Sequence, residues 1–480
     1  MPLRALCLAA VLATAPPAQV LIDDAATGAW TSTALVDGVP AIAYLDVGNV
    51  DVRYVRATDA EGTTWGTPVT VASTGDVGTT TSLAVVGGRP AIAYWNRTDG
   101  TLDYVRADDA TGAAWGTPVA IASGLTNVPY ASLAVVDGRP AVAYVNMTTK
   151  KLEFLRASDA TGATWPTTPV PVVLQIHPTS STSVDRFVEM TVVDGRPAIV
   201  YSTDVPEFTR RSDAHAGGNP VAQRYVRASD AQGSAWGSPT LYVRSAIDSE
   251  NALAVVDGRP AILYVDADNT LSFLRADDAS GSAWPADPVH LGRVDAGRRR
   301  FLNLTVANGV PVASADMGTS NSGSGRLFDP GMAFVVSRTS AGEAWNEPET
   351  VTTDDAAYQD VVVLASGAPL MSYYAVGPQD LYAYTGTKPV GTGAGPEAGV
   401  VALTAFPNPT TGPVRLRLAA PFGARLRVTV HDALGRQVAA AEHVGAGEVR
   451  IETAGLAAGA YLVRAVGEAG VAVTRVVVSR

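Results

Sequence analysis

Short runs of valine, isoleucine, alanine and aromatic residues recur along the chain, broken by Gly, Pro and Asp. Runs of four to seven such residues between turn formers read as β-strands. The runs keep a fixed order. Residues 81–115 begin with Ser82-Leu83-Ala84-Val85-Val86, turn a Gly88-Arg89-Pro90 corner and continue as Ala91-Ile92-Ala93-Tyr94. They go on with Leu102-Asp103-Tyr104-Val105-Arg106, an Asp109-to-Trp115 turn and a final stretch after Pro118; residues 131–165 repeat the order. Each module of about fifty residues therefore supplies four strands.

Corner prolines at Pro40, Pro90, Pro140, Pro197, Pro260, Pro311 and Pro369 place seven modules between about residue 31 and residue 387. An all-β chain of seven such sheets is expected to close into a seven-bladed β-propeller of four-stranded antiparallel blades, because a ring shields the inner strand edges. An elongated solenoid is the alternative arrangement, against which stands the lack of distinct polar end modules. The last module has no Trp turn after Leu381-Tyr382-Ala383-Tyr384, whereas an orphan turn, Asp23 to Trp30, precedes the first corner. Residues 19–30 are therefore expected to supply the outer strand region of the last blade and join the ends of the ring.

Asp59, Asp109, Asp159, Asp230 and Asp278 each stand six positions before a tryptophan: Trp65, Trp115, Trp165, Trp236 and Trp284. A turn carboxylate accepts bonds from nearby amides, Gly supplies positive φ, and an indole fills the space between sheets, so a structural role outweighs a ring of calcium- or sugar-binding carboxylates. The same weighting applies to Arg56, Arg106, Arg156, Arg227 and Arg275, which could form a carboxylate-binding set but are expected to make structural salt bridges. Tyr44, Tyr94, Tyr144, Tyr201 and Tyr264 could line a channel end, with packing between blades preferred. The turn Ser158-Asp159-Ala160-Thr161-Gly162-Ala163-Thr164-Trp165 resembles the Asp-box, or BNR repeat, of sialidases and other propellers, with Asp one position early. The resemblance implies a peripheral structural hairpin and not sialidase activity.

Individual chemistry is expected where the modules differ. Insertions run over 175–186, 204–220, 293–300 and 316–330. Glu207 and Asp213 are the candidates for a catalytic carboxylate pair, and Trp95, His177, Arg210 and His215 for ligand binding. Trp95 is expected to be exposed, following Tyr94 where other modules carry Leu45, Val145, Ser202 and Val265. No HExxH, P-loop or GxSxG motif occurs, and no cofactor or metal is expected.

Arg4, the apolar stretch 5–13 and the alanines near Ala15 and Ala18 read as a signal peptide over 1–18, too short to span a membrane. The single cysteine, Cys7, would leave with it, so the mature chain is expected to have no disulfide. The domains are then 1–18, the propeller 19–387, a Gly/Ala/Pro linker 388–400, and a small β-sandwich 401–480. Phe406-Pro407-Asn408-Pro409, Asp432-Ala433-Leu434-Gly435-Arg436, Gly459-Ala460-Tyr461 and the basic end Arg480 make residues 401–480 closely similar to the type IX secretion sorting domain of Bacteroidetes-like bacteria. That resemblance implies the secretion machinery as a partner and an extracellular or outer-membrane surface address. The net charge of −11 argues against nucleic acid or an anionic membrane. The leading functional expectation is a secreted or surface-bound binding propeller for carbohydrate or a surface protein. A sialidase-like or other glycan-processing enzyme (a hydrolase or lyase), and a structural or adhesive component, are the alternatives.

Overall fold

The computed structural model describes residues 18–24, 26–128, 130–174, 187–204, 221–245, 251–266, 269–294, 301–316, 332–352, 356–386, 403–406, 410, 412–418, 425–431, 437–444, 449–453, 455–467 and 470–478. Every regular element among them is a β-strand. The chain forms two compact units, Met1–Gly391 and Thr392–Arg480.

The first unit contains seven four-stranded antiparallel sheets, the blades of a propeller. Blade 3 is representative: inner strand Ala131–Val136, second strand Arg139–Asn146, third strand Lys151–Arg156 and outer strand Val170–Val173. Its inner and second strands are joined by Asp137-Gly138, both at positive φ (46° and 74°), the backbone that a tight hairpin matched to strand twist requires. The second strand is buried along almost its whole length, as expected of a strand covered on both faces. Inner strands of neighbouring blades contact one another all around the ring, including Thr27–Val36 of blade 1 against Ala356–Val363 of blade 7.

Ring closure uses the start of the chain. Ala18–Asp23 pairs antiparallel with Asp380–Thr385 as the outer strand of blade 7, with Ala18 opposite Thr385 and Asp23 opposite Leu381. The expected joining segment, 19–30, is too long: the strand stops at Asp23, and Thr27–Val36 is already the inner strand of blade 1. Gly28 marks the switch. At φ 107° its missing side chain lets the backbone pass where a Cβ would lie 2.8 Å from Leu381 Cβ. Trp30 consequently belongs to an inner strand and not to an Asp-box turn.

The Asp-box-like turns of blades 1 to 6 hold each of these blades against the one before it. In blade 2, Asp109 accepts backbone bonds from Thr111 (2.7 Å), Gly112 (3.0 Å) and Ala114 (2.8 Å), and Trp115 Nε1 donates to the Gly112 carbonyl at 2.9 Å. The indole packs edge-on against Tyr54 of blade 1 at 5.1 Å, while the Tyr54 hydroxyl donates to the Thr111 carbonyl. Trp165 with Tyr104, Trp236 with Phe154, and Trp284 with Tyr225 repeat the contact. Blade 6 has the same turn with Thr339 in the Asp position. Its hydroxyl accepts from the Glu343 amide, and Trp345 packs on Phe273 at 5.2 Å. A pattern anchored on Asp passes over this copy. The Thr111 hydroxyl and the turn amides hold the Asp109 carboxyl well below the usual range against the opposing effect of burial.

The second unit has a three-stranded sheet (Leu403–Phe406, Val414–Leu418, Val449–Ile451) and a four-stranded one (Gln437–Val444, Arg425–His431, Gly459–Gly467, Gly470–Val478). Val414, Leu416, Val428, Val430, Tyr461, Val463 and Val476 share one core.

Gly162 tests the packing role of the turn. At φ 80°, an added Cβ would meet Tyr104 Cε1 at 2.4 Å, whereas Gly138 at φ 74° has nothing within 4 Å. In urea unfolding of the purified protein, Gly162→Ala is expected to lower stability by about 2 kcal/mol or more. Gly138→Ala carries only the backbone penalty of about 1 kcal/mol, so equal losses would refute the inter-blade contact.

Candidate functional site

Strand direction divides the ring into two ends. In each blade the inner and third strands run the same way, so the corner turns and the Asp-box turns share one end. The turns between second and third strands, and the connections between blades, share the other. The strand ends that flank all four insertions lie at this second end: Val173 and Val188, Asp204 and Val221, Arg293 and Leu302, Asp316 and Met332.

The same end carries a belt of rings where the inner strands begin. Trp30 of blade 1 lies 4.8 Å from Tyr358 of blade 7 and 5.6 Å from Tyr130 of blade 3. Tyr130 meets Phe187 of blade 4 at 4.3 Å, and Phe301 of blade 6 meets Tyr358 at 4.6 Å. Tyr374 extends the belt from Tyr358 at 6.2 Å. A contact between blades 1 and 3 skips a blade, so the rings reach across the mouth of the central channel. Trp30, Tyr130 and Tyr358 remain partly exposed, while Phe187 and Phe301 are buried beneath them.

The backbone is distorted to present these rings. Trp30, Thr80 and Tyr358 stand at φ 54°, 63° and 55°, and the strand register shifts at each, between Ala29 and Ser32, Thr79 and Ser82, and Ala357 and Asp360. Positive φ is unfavourable for such residues, above all for β-branched Thr80, and must be held by the surroundings. Hydrogen bonds to the preceding blade do so. The Thr31 hydroxyl donates to the Tyr358 carbonyl, the Thr81 hydroxyl to the Trp30 carbonyl, and Gln359 Nε2 to the Phe301 carbonyl.

One residue further along, side chains reach the opposite way, to the next blade. Ser32, Ser82 and Ser132 accept from the amides of Leu83, Leu133 and Met190 at 2.9, 2.9 and 3.1 Å. Glu189 occupies this position in blade 4 and accepts from Leu253 at 2.8 Å. Asp360 occupies it in blade 7, accepting from Thr33 at 2.6 Å and from Asn303 Nδ2 at 2.7 Å, and so ties blades 6, 7 and 1 together. Burial raises the Glu189 carboxyl to about 8, with the Leu253 amide opposing and the Asp360 charge adding to the rise. Burial likewise raises Asp360 to about 6 against the Thr33 and Val361 amides.

The repeated candidates are occupied elsewhere. Arg156 donates to the Val136 carbonyl at 2.8 Å and to Asp137 of its own corner, and Arg227 does the same with Val193 and Asp194. These arginines therefore brace corner turns rather than the Asp-box aspartates. Tyr44, Tyr94, Tyr144, Tyr201 and Tyr264 are fully buried. Trp95, expected to be exposed, is 8% exposed and packs with Leu102, Ile121, Leu125 and Val128, because the connection to blade 3 folds over it. His177, Glu207, Arg210, Asp213 and His215 lie outside the described residues.

Ser272, His290 and Asp266 also meet, but Ser272 Oγ (3.0 Å) and Asp266 Oδ2 (3.7 Å) approach the same nitrogen, Nδ1. A nucleophilic triad needs them on opposite ring nitrogens. Among the described residues no group of three or more His, Cys, Asp or Glu side chains is placed to hold a metal ion, and no helix is long and apolar enough to cross a membrane.

The belt was missed in the sequence, although it left a signal: Trp30, Tyr130, Phe187 and Phe301 each stand ten residues before a corner proline, and Tyr358 eleven.

Comparison with known proteins separates the two units. Residues 404–479 match the family of the secretion system C-terminal sorting domain. The C-terminal unit is a type IX sorting domain. This sorting domain marks the chain for export to the outside of the cell or its surface. No curated protein matches the chain. Among solved structures, an ulvan lyase from a new family of polysaccharide lyases is 12% identical, covering 78% of this chain and 97% of its own, with a TM-score of 0.50. Its complex with GlcA(1-4)Rha3S gives the same values. The NanB sialidase of Streptococcus pneumoniae is 10% identical, covering 76% of this chain and 69% of its own, at a TM-score of 0.41. At these identities the likeness of the ulvan lyase is one of fold, and the sialidase adds no argument.

Glu189 gives the channel a measurable pH signature. A carboxyl raised on folding binds its proton more tightly in the native state, so its stabilising contribution is complete below the unfolded value and is lost as pH climbs through the folded one. For Asp360 the loss runs from the ordinary carboxyl range up to about 6, and for Glu189 up to about 8. Glu189→Gln is therefore expected to raise the melting temperature at pH 9 by about 2–5 °C and to change it little at pH 5. A gain independent of pH would show that Glu189 is not protonated in the native protein.

Proposed function

We propose that the protein is an exported, non-catalytic binding propeller that takes a carbohydrate on the end of the ring where its insertions are anchored. The observation that carries this reading is the aromatic belt across the channel mouth. Ring faces supply flat apolar area to the C–H faces of sugars at little entropic cost, since Tyr and Trp have few rotatable bonds. The belt is held by strained backbone and by bonds from neighbouring blades, a cost that packing alone does not require. It also lies beside the strand ends from which the variable segments leave, where binding residues are usually carried on a rigid scaffold. His177, Glu207, Arg210, Asp213 and His215 belong to those segments of the sequence. The sorting domain accounts for delivery of the propeller through the outer membrane, by the type IX route of Bacteroidetes-type bacteria, followed by release or surface attachment.

The purified protein is expected to bind at least one polysaccharide in a broad panel of neutral, acidic and basic glycans, without releasing reducing or unsaturated ends. Trp30→Ala is expected to weaken that binding by about tenfold or more, while Trp165→Ala, on the opposite end of the ring, leaves affinity unchanged in the fraction that remains folded. Release of sugar would overturn the non-catalytic reading, and undiminished binding by Trp30→Ala would move the site away from the belt.

A further inference from the structure

We propose that the ligand at the aromatic mouth is a glycan carrying free amino groups, bound as ammonium; this rests on the carbohydrate reading above and names its chemical class. The rings are the first argument. Trp30, Tyr130 and Tyr358 present partly exposed π systems, and the negative face of an aromatic ring attracts a cation, most strongly where water is thinned. An amino sugar can stack its C–H face on one ring and set its nitrogen over another.

The pair of carboxyl groups beneath the rings is the second. Glu189 and Asp360 stand two residues along their inner strands from Phe187 and Tyr358, about 7 Å deeper into the channel. Both retain intermediate exposure, and among the described residues neither forms an ion pair. Burial keeps Glu189 protonated at pH 6 and Asp360 about half so; an ammonium above them favours loss of these protons and pairs with the carboxylates that form.

The rim supplies the third. On the same end of the ring, blades 7, 1 and 2 carry Asp24, Asp46, Asp51, Asp76, Asp99 and Asp380. The arginines there are already paired: Arg53 lies 2.8 Å from Asp23 and 3.8 Å from Asp46, and Arg97 lies 3.2 Å from Asp76. Crowding is felt by the carboxyls themselves. Asp380 is raised by burial and then by the charges of Asp24 and Asp23, and Asp51 by burial and then by Asp46. Lys150 and Lys151 stand on the turn of blade 3 and leave this sector uncompensated. A uronate, sulfate or sialate brought to the mouth meets repulsion over roughly a Debye length, while an ammonium is drawn in.

The test is calorimetric titration of the full secreted chain at pH 6 and low salt with three oligosaccharides of equal length: chitosan, its fully N-acetylated counterpart, and an oligouronate. The amine form is expected to bind about tenfold more tightly than the acetylated form, to lose that advantage as salt is raised, and to outcompete the uronate. Equal affinity for the amine and acetylated forms, or preference for the uronate, overturns the amine inference and leaves the carbohydrate reading standing. Absence of binding to all three, with a ligand still retained from the broad panel, has the same meaning; silence in both experiments overturns both readings. The double substitution Asp24→Asn with Asp380→Asn leaves every ring in place. It is expected to narrow the preference for the amine form about threefold, and an unchanged preference in a folded variant would refute the electrostatic argument.

Discussion

The structure depends on the seam between neighbouring blades. A four-stranded sheet of this size cannot bury both faces by itself, so its stability comes from the sheet beside it, and a ring gives every sheet two such neighbours. Two sets of contacts hold the seams here, the outer one repeated at the five seams from blade 1 to blade 6. Near the periphery the indole of one blade meets an aromatic ring of the blade before it, locked by the hydrogen bond from Trp Nε1 to the turn glycine and, in several blades, by a tyrosine hydroxyl on the turn carbonyl. Near the axis, side chains on consecutive inner-strand residues reach in opposite directions, one to the preceding blade and the next to the following one. Because each contact is repeated around a closed ring, removal of one distorts two neighbours and the strain has no free end through which to relax.

That constraint accounts for what the sequence revealed. Contacts imposed by the repeat recur with the repeat, so the corner prolines, turn glycines and turn tryptophans declared seven blades and four strands in each. The sixth Trp turn escaped notice because Thr339 does with one hydroxyl part of what Asp109 does with two oxygens. The closing strand was legible as an orphan but not in extent, because its end is set by the close approach of Gly28 to Leu381, two residues 353 positions apart. Proximity of that kind has no signature in local periodicity.

The candidate site was legible only in retrospect. Asp59, Arg56 and Tyr44 stood out because they recur, and recurrence is what a structural role produces. Trp95 stood out because it is unique among its equivalents, yet it is buried under Leu125 and Val128, residues of a connection whose path the strand pattern does not define. The belt residues differ in identity between blades and coincide only once the inner strands are superposed at the axis. A search for sites in repeat proteins is therefore better directed at positions that are equivalent in space and variable in type, such as Ser32, Ser82, Ser132, Glu189, Asn303 and Asp360, than at either invariant or isolated residues.

This view also explains why the two carboxylates occur where they do. Serine at the bridging position is sufficient to accept one amide from the next blade, as blades 1 to 3 demonstrate. Asp360 exceeds that requirement by binding both neighbours at the blade where the ring is closed by a non-contiguous strand, so its ionisable group has an evident structural use. Glu189 makes only the one amide bond that serine makes elsewhere, yet carries an ionisable group whose proton affinity is raised by burial first and further by the Asp360 charge. A longer acidic side chain that adds desolvation and repulsion without adding a stitch is poorly explained by stability. Its position below the rings of Phe187 and Tyr130 is what connects the seam that holds the propeller together with the surface on which it would meet a ligand.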